Sequence, residues 1–225
     1  MCPSAEPVPA VALLDVSEDV LEQLLELALR DADADEVTPP LGTTAGWNTD
    51  RISWFREFHR AATAGLDGPA GQKTWAISCD GQMAGSVRLR RMDTAPAAAD
   101  EGWAGAGAEA VGAAGAGPGG GAGAVAGRGG YAGPSDGAEA GAGGGQALET
   151  GIWLARSFRG RGVGREALRL VKARAASTGA AVLVAETTAG NVGALALLKY
   201  AGAELVTGAA SQTHTVPVIA KIPLR

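Results

Sequence analysis

Apolar positions recur at helical spacing near the start of the chain. Over residues 16–31, Val20, Leu21, Leu24, Leu25 and Ala28 form one stripe, and Ser17 stands where an N-cap is wanted. Residues 49–62 repeat the pattern, with Ile52, Phe55 and His59 on one face. The period then shortens. Segments 73–79 and 83–91 flank Asp80-Gly81, a strong two-residue turn signal, and predict a hairpin. A strand over 147–154 follows, then a turn rich in glycine and arginine. That turn opens a helix over 162–177, where Val163, Ala167, Leu170, Val171 and Arg174 fall at helical spacing. A strand at 181–186, a helix at 191–201 and strands at 203–207 and 213–222 complete the pattern. Alternating strands and helices in the second half, with a hairpin in the first, predict an α/β fold with a mixed sheet and helices on both faces.

Composition changes this picture at one place. Of the 44 residues in 102–145, 19 are glycine and 14 alanine. Such a segment buries too little apolar surface to offset its ordering entropy. It reads as a flexible insertion in a single domain built from residues 10–101 and 146–225. The whole chain has 225 residues, enough for one good core. Its formal charge of −5 argues against a nucleic-acid binder. No run of about 18 apolar residues predicts a membrane span. Cys2 and Cys79 have no metal-ligand spacing, and a reduced cytoplasmic chain is the expectation.

Charge is unevenly spread. Residues 1–41 hold ten acids and one base, whereas 156–174 hold seven bases and one acid. An acidic rim beside a basic phosphate pocket would suit a cationic substrate used with an anionic cofactor; two solvated helix faces would give the same count. The basic segment contains Arg159-Gly160-Arg161-Gly162-Val163-Gly164. Glycines there leave the backbone open to a ligand, and the first helical turn offers unpaired N–H groups at the positive end of the dipole. That is phosphate-binding chemistry. Gly162-Val163-Gly164-Arg165-Glu166-Ala167 also spells G-x-G-x-x-A, and a strand ending in Glu186 follows, so a dinucleotide-binding site is an alternative. The seven residues between Leu154 and Gly162 weigh against it, because that fingerprint wants a tight turn.

Arg159, Gly162 and Gly164, followed by Asn191, Ala194 and Gly202, resemble the acetyl-CoA core of the GNAT superfamily of N-acetyltransferases over residues 148–204. The stretch Glu149-Thr150-Gly151-Ile152-Trp153-Leu154 is similar to the strand preceding the phosphate turn in the subgroup that modifies ribosomal-protein N-termini. The resemblance implies acetyl transfer from acetyl-CoA to an amine. Backbone amides of Arg159, Gly160, Arg161, Gly162, Val163 and Gly164 would hold the diphosphate. The edge of the strand at 152–155, Leu154 and Ala155 included, would pair with the pantetheine arm, and Asn191 would hydrogen-bond the cofactor arm or the substrate side. Glu149 would be the general base, with a strand-end carboxylate in solvent or in an ion pair with a nearby Arg as the alternative. The family's usual acid, a Tyr seven residues after the Asn, is here Leu198, which leaves Tyr200 as the nearest substitute. The acceptor is expected to be a cationic small molecule such as a polyamine or aminoglycoside. A peptide N-terminus is the alternative, a non-catalytic acyl-CoA-binding module is a further one, and a homodimer is left open. His59 and His214 read as packed or surface residues, with contact to the acceptor as the alternative for His59.

Overall fold

The computed structural model describes residues 9–41, 45–92, 146–208 and 216–224. The glycine-alanine tract, Cys2 and His214 lie outside them. The elements run β1 (Val11–Asp15), α1 (Glu18–Asp31), α2 (Ala34–Val37), α3 (Thr49–Ala61), β2 (Gln72–Cys79), β3 (Gln82–Arg91) and β4 (Ala147–Leu154). Then come α4 (Val163–Ser177), β5 (Val182–Thr188), α5 (Val192–Tyr200), β6 (Glu204–Thr207) and β7 (Pro217–Pro223). One seven-stranded sheet has the order β1-β2-β3-β4-β5-β7-β6. Every neighbouring pair is antiparallel except the parallel β4–β5.

Local chemistry accounts for the boundaries. Ser17 Oγ accepts from the Val20 amide and starts α1; Asn48 Oδ1 does the same for α3 at 2.9 Å from the Arg51 nitrogen. Asp80 and Gly81 both have positive φ, 51° and 80°, the conformation of a two-residue hairpin turn whose twist matches the strands. The sequence reading has no strand at β1 and no helix at α2. Each is too short to show a period, and β1 is recognisable through its pairing with β2 along the sheet edge. In α4 the inward face is Val163, Ala167, Leu168, Val171 and Ala175. Leu170 is only half-buried and Arg174 faces solvent, so the expected stripe is rotated by part of a turn.

Helices cover both faces. On one, α3 sits over β2 and β3: His59 Nδ1 lies 3.1 Å from Thr74 Oγ1, and the Arg88 guanidinium stacks 5.8 Å from the Phe58 ring centre. Bidentate pairs Arg56–Glu22 and Arg60–Glu18 tie α1 to α3. On the other face, α4 and α5 pack where Gly164 meets Leu154 and Leu197. Leu89, Leu148, Ile152, Leu183 and Ile222 form the sheet's contribution to the buried core there.

The sheet is split at its centre. β4 and β5 pair only from Ala147/Val182 to Thr150/Ala185, yet β4 continues to Leu154 and β5 to Thr188. Beyond that point each strand bonds only its outer neighbour, β3 or β7. A β-bulge at Ile77/Ser78 and the glycine at Gly85, φ 154°, lie at the same end. Bulged strands bend and twist more strongly, which turns the β2–β3–β4 half away from β5.

Candidate active site

Ladder alternation decides which backbone groups look into the split. The Ala155 amide donates to Ala84 at 2.9 Å, so the odd residues of β4 point their amides at β3. The even residues point the other way. Past Thr150, the N–H and C=O of Ile152 and the N–H of Leu154 therefore edge the cleft. Ala155 differs from expectation: its amide is held by β3 and is not available to a ligand.

At the mouth of the cleft the chain makes a one-turn 3₁₀ helix at Arg156–Phe158 and enters α4. Gly162 caps α4 with φ 82° and no side-chain cap, and a Cβ placed there would meet nothing within 4 Å. Among the described residues, the amides of Gly160, Arg161, Gly162, Val163 and Gly164 find no acceptor. Five consecutive donors at a helix N-terminus form a cradle for a diphosphate. Arg159 departs from the expected role. Its amide closes the 3₁₀ turn on Arg156 O, and its Nε donates to Leu154 O at 2.9 Å. Its Nη2 reaches Glu36 at 3.3 Å. Arg159 braces the turn rather than facing outward. The guanidiniums of Arg161 and Arg165 are exposed and form no ion pair among the described residues; they stack on Phe158 and Tyr200 at 5.4 and 4.6 Å.

Asn191 is buried at the N-terminus of α5. Its Oδ1 caps the Ala194 amide at 3.0 Å, which leaves Nδ2 as a buried donor without a partner. An orphan donor beside the cleft, together with the unpaired turn amides, fits the coenzyme A arm. Tyr200 does not join them. It is 68% exposed at the far end of α5, while Leu198, in the family's acid position, is buried. The acid role expected for Tyr200 is thus not supported by its placement.

Glu149 is 7% exposed and lies on the same sheet face as Gly151 and Trp153. Arg88 Nη2 binds its Oε1 at 2.5 Å, and Arg90 binds Oε2 through both Nε and Nη2. Both oxygens are occupied by guanidiniums, which opposes its expected role as an open base. From the sequence alone Glu186 reads only as a ribose ligand. It stands on this same face, one residue past the last β4–β5 rung. Partial burial raises its carboxyl above the usual range, the Glu149 charge adds to this, and Arg90 and Arg88 pull the other way. His59 is fully buried between Phe55 and Phe58, and burial holds its imidazole neutral, with a pKa lowered to about 3. That is a packed histidine with no path to an acceptor.

Several described acids of the N-terminal segment are already engaged within the protein. Asp31 binds Ser157, Asp33 binds Arg156, Glu36 binds Arg156 and Arg159, and Asp35 binds Arg51. Asp31, Asp33 and Glu36 dock α1 and α2 onto the segment entering the phosphate turn, while Asp35 ties α2 to α3.

A family model described as acetyltransferase (GNAT) family matches residues 43–203, on both sides of the glycine-alanine tract. This chain belongs to the GNAT acetyltransferase family. It is an acetyl-CoA-dependent N-acetyltransferase, and the dinucleotide-binding alternative falls. Solved GNAT structures share the fold at low identity. RimL, a ribosomal L7/L12 α-N-protein acetyltransferase in complex with coenzyme A, is 14% identical with a TM-score of 0.57, covering 96% of each chain. A GNAT protein from Kribbella flavida is 14% identical with a TM-score of 0.54, covering 95% of this chain and 98% of its own. The GNAT domain of S. lividans PAT is 15% identical with a TM-score of 0.51, covering 95% and 90%. A search of curated proteins finds no match. No helix among the described residues is long and apolar enough to cross a membrane.

Proposed function

We propose that this GNAT enzyme acetylates the primary amine of a small cationic molecule in the cleft between β4 and β5. One observation carries the acceptor class. Glu186 at the cleft has no ion pair among the described residues, whereas Glu149 and five acids of the N-terminal segment are held by arginines. An unpaired carboxylate on a half-covered face attracts an ammonium group.

The chain's own residues divide the work. The amides of Gly160 to Gly164 would hold the diphosphate, with Arg161 and Arg165 adding charge at the rim. The edge of β4 at Ile152 and Leu154 would pair with the pantetheine amides as a missing strand would. An N–H of that edge would polarise the acyl carbonyl, a fixed donor of the oxyanion-hole kind. Asn191 Nδ2 would donate to the cofactor arm. Bound acetyl-CoA supplies an acetyl group activated as a thioester. The remaining contribution is to hold a neutral amine against it, where orientation alone lowers the barrier substantially.

A thiol-release screen with acetyl-CoA tests this. Polyamines and aminoglycosides are expected to turn over faster than amino acids or N-terminal peptides, with KM rising as salt is added. A preference for peptides would replace the reading with protein N-terminal acetylation. Coenzyme A binding without turnover of any amine would make the chain a binding module.

A further inference from the structure

Arg159 joins three parts of the molecule. Its amide closes the 3₁₀ turn on Arg156 O at 3.2 Å, one residue before the run of unpaired amides begins. Its Nε donates to Leu154 O at 2.9 Å. By ladder alternation that carbonyl looks into the cleft, so the guanidinium takes the last acceptor on the bare edge of β4. An extended ligand is left with the N–H and C=O of Ile152 and the N–H of Leu154. Nη2 pairs with Glu36 on α2 at 3.3 Å. Nη1 is buried and has no partner among the described residues.

A buried donor without an acceptor costs about 1–3 kcal/mol, and the diphosphate cradle begins at the next residue. A guanidinium is well matched to phosphate, which it binds through parallel N–H bonds. Arg159 therefore has a competing destination, and Glu36 is the anion that holds it back. Both side chains are only 13% exposed, so solvent screens the pair weakly. Glu36 is itself fixed. Its Oε2 accepts from the Asp33 amide at 3.3 Å in a capping box, Asp33 pairs with Arg156 at 2.6 Å, and Asp35 pairs with buried Arg51 of α3 at 2.6 Å. The carboxylate thus reaches Arg159 from a short helix anchored to both the turn and α3.

We propose that Glu36 is a positioning residue for acetyl transfer, which keeps the Arg159 guanidinium on Leu154 O and off the cofactor's diphosphate. The proposal rests on the reading of the turn and the β4 edge as the coenzyme A site. With Arg159 in place, the diphosphate is held by fixed backbone amides, and the end of β4 is held so that its Leu154 N–H keeps one direction. With Glu36 gone, Arg159 leaves the strand for the phosphates. The cofactor is then bound at least as firmly, but the edge that aligns its acyl end is loose. Binding is kept and orientation is lost.

The test compares wild type, Glu36→Gln, Arg159→Gln and the double variant, using the best amine from the screen and coenzyme A calorimetry at several salt concentrations. Glutamine is accepted in a capping box, so Glu36→Gln retains the start of α2. A misplacement of about 1 Å can cost about 100-fold in rate. Glu36→Gln is expected to lose about 10- to 100-fold in kcat. Its Kd for coenzyme A should be equal to wild type or tighter, and more sensitive to salt, because a further cation meets the phosphates. In the Arg159→Gln background the same change should alter kcat by less than about twofold, since the side chain it restrains is absent. A merely structural role would weaken Kd in step with kcat, and that result would overturn the proposal. So would an unchanged kcat, or an equal loss in the Arg159→Gln background; each leaves the cofactor site itself intact. A wild type that binds no coenzyme A would remove both readings.

Discussion

Glu149→Gln separates the structural role of that carboxylate from a chemical one. The change keeps the shape of the side chain and removes its charge. Arg88 is 1% exposed, and both guanidiniums converge on the two Glu149 oxygens. The glutamine amide accepts from one arginine but turns its own donor toward the other. Arg88, buried, and Arg90, partly buried, then lose the carboxylate on which they converge. Breaking one partner out of a buried pair costs about 3–5 kcal/mol. A typical domain has about 5–15 kcal/mol in total, so the loss is a large fraction. Urea unfolding followed by tryptophan fluorescence reads it, because Trp153 lies on the same strand face. With an m-value of about 3 kcal/mol/M, the midpoint should fall by about 1–1.7 M at unchanged slope. Adding Arg90→Gln should cost less in the Glu149→Gln background than in wild type, since one surplus charge is then removed. A midpoint within 0.2 M of wild type would refute the clamp as a stabilising element.

Gly162→Ala and Gly164→Ala should move stability in opposite directions in thermal unfolding. The first forces a left-handed φ of 82° on alanine, a cost of roughly 1–2 kcal/mol, although its Cβ meets nothing. The second gains helix propensity of about 0.5–1 kcal/mol, and its Cβ makes ordinary contacts at 3.4 and 3.5 Å with Leu154 and Leu197; the reverse order would contradict the assigned conformations. Asn191→Asp keeps a good cap and loses the orphan donor, so Tm should hold while calorimetric affinity for coenzyme A drops about fivefold. An unchanged affinity would remove Asn191 from the cofactor site. His59 has a folded pKa near 3 against an ordinary 6.5. Above pH 6.5 both states are neutral and nothing is lost. Below it only the unfolded chain takes a proton, and stability falls by about 1.4 kcal/mol per pH unit toward pH 3. His59→Gln should lack this part of the acid slope in unfolding curves; an identical slope would show that the imidazole titrates normally.

The sheet's order of elements and the phosphate turn were legible because they rest on local chemistry. Period, Asp80-Gly81 and the glycines before α4 each act within a few residues. β1 was not legible, since five residues with a mixed burial pattern acquire meaning only against β2. The site was legible in its backbone and less so in its side chains. The unpaired amides of Gly160 to Gly164 and the cap at Asn191 arise from local sequence, a glycine-rich turn and an Asn ahead of a helix. The engagement of Glu149 depends on Arg88 and Arg90, about sixty residues earlier, and no pattern in the sequence joins them. The same holds for Arg159 and Glu36, 123 residues apart. Residues brought together by the sheet or by helix docking change each other's chemistry, and only the fold reports which ones meet. Glu186 was visible, but its meaning came from standing just past the last rung of a parallel ladder that ends early.

Only four rungs join the two halves of the sheet between β4 and β5. Above them, Ile152, Leu154 and Glu186 present backbone groups that any extended chain could bond, as the pantetheine arm does in the function proposed above. An interior edge of this kind invites strand addition from a neighbouring molecule. Preparations stripped of coenzyme A should therefore self-associate more readily on storage, and saturating ligand should keep them monodisperse by closing the seam.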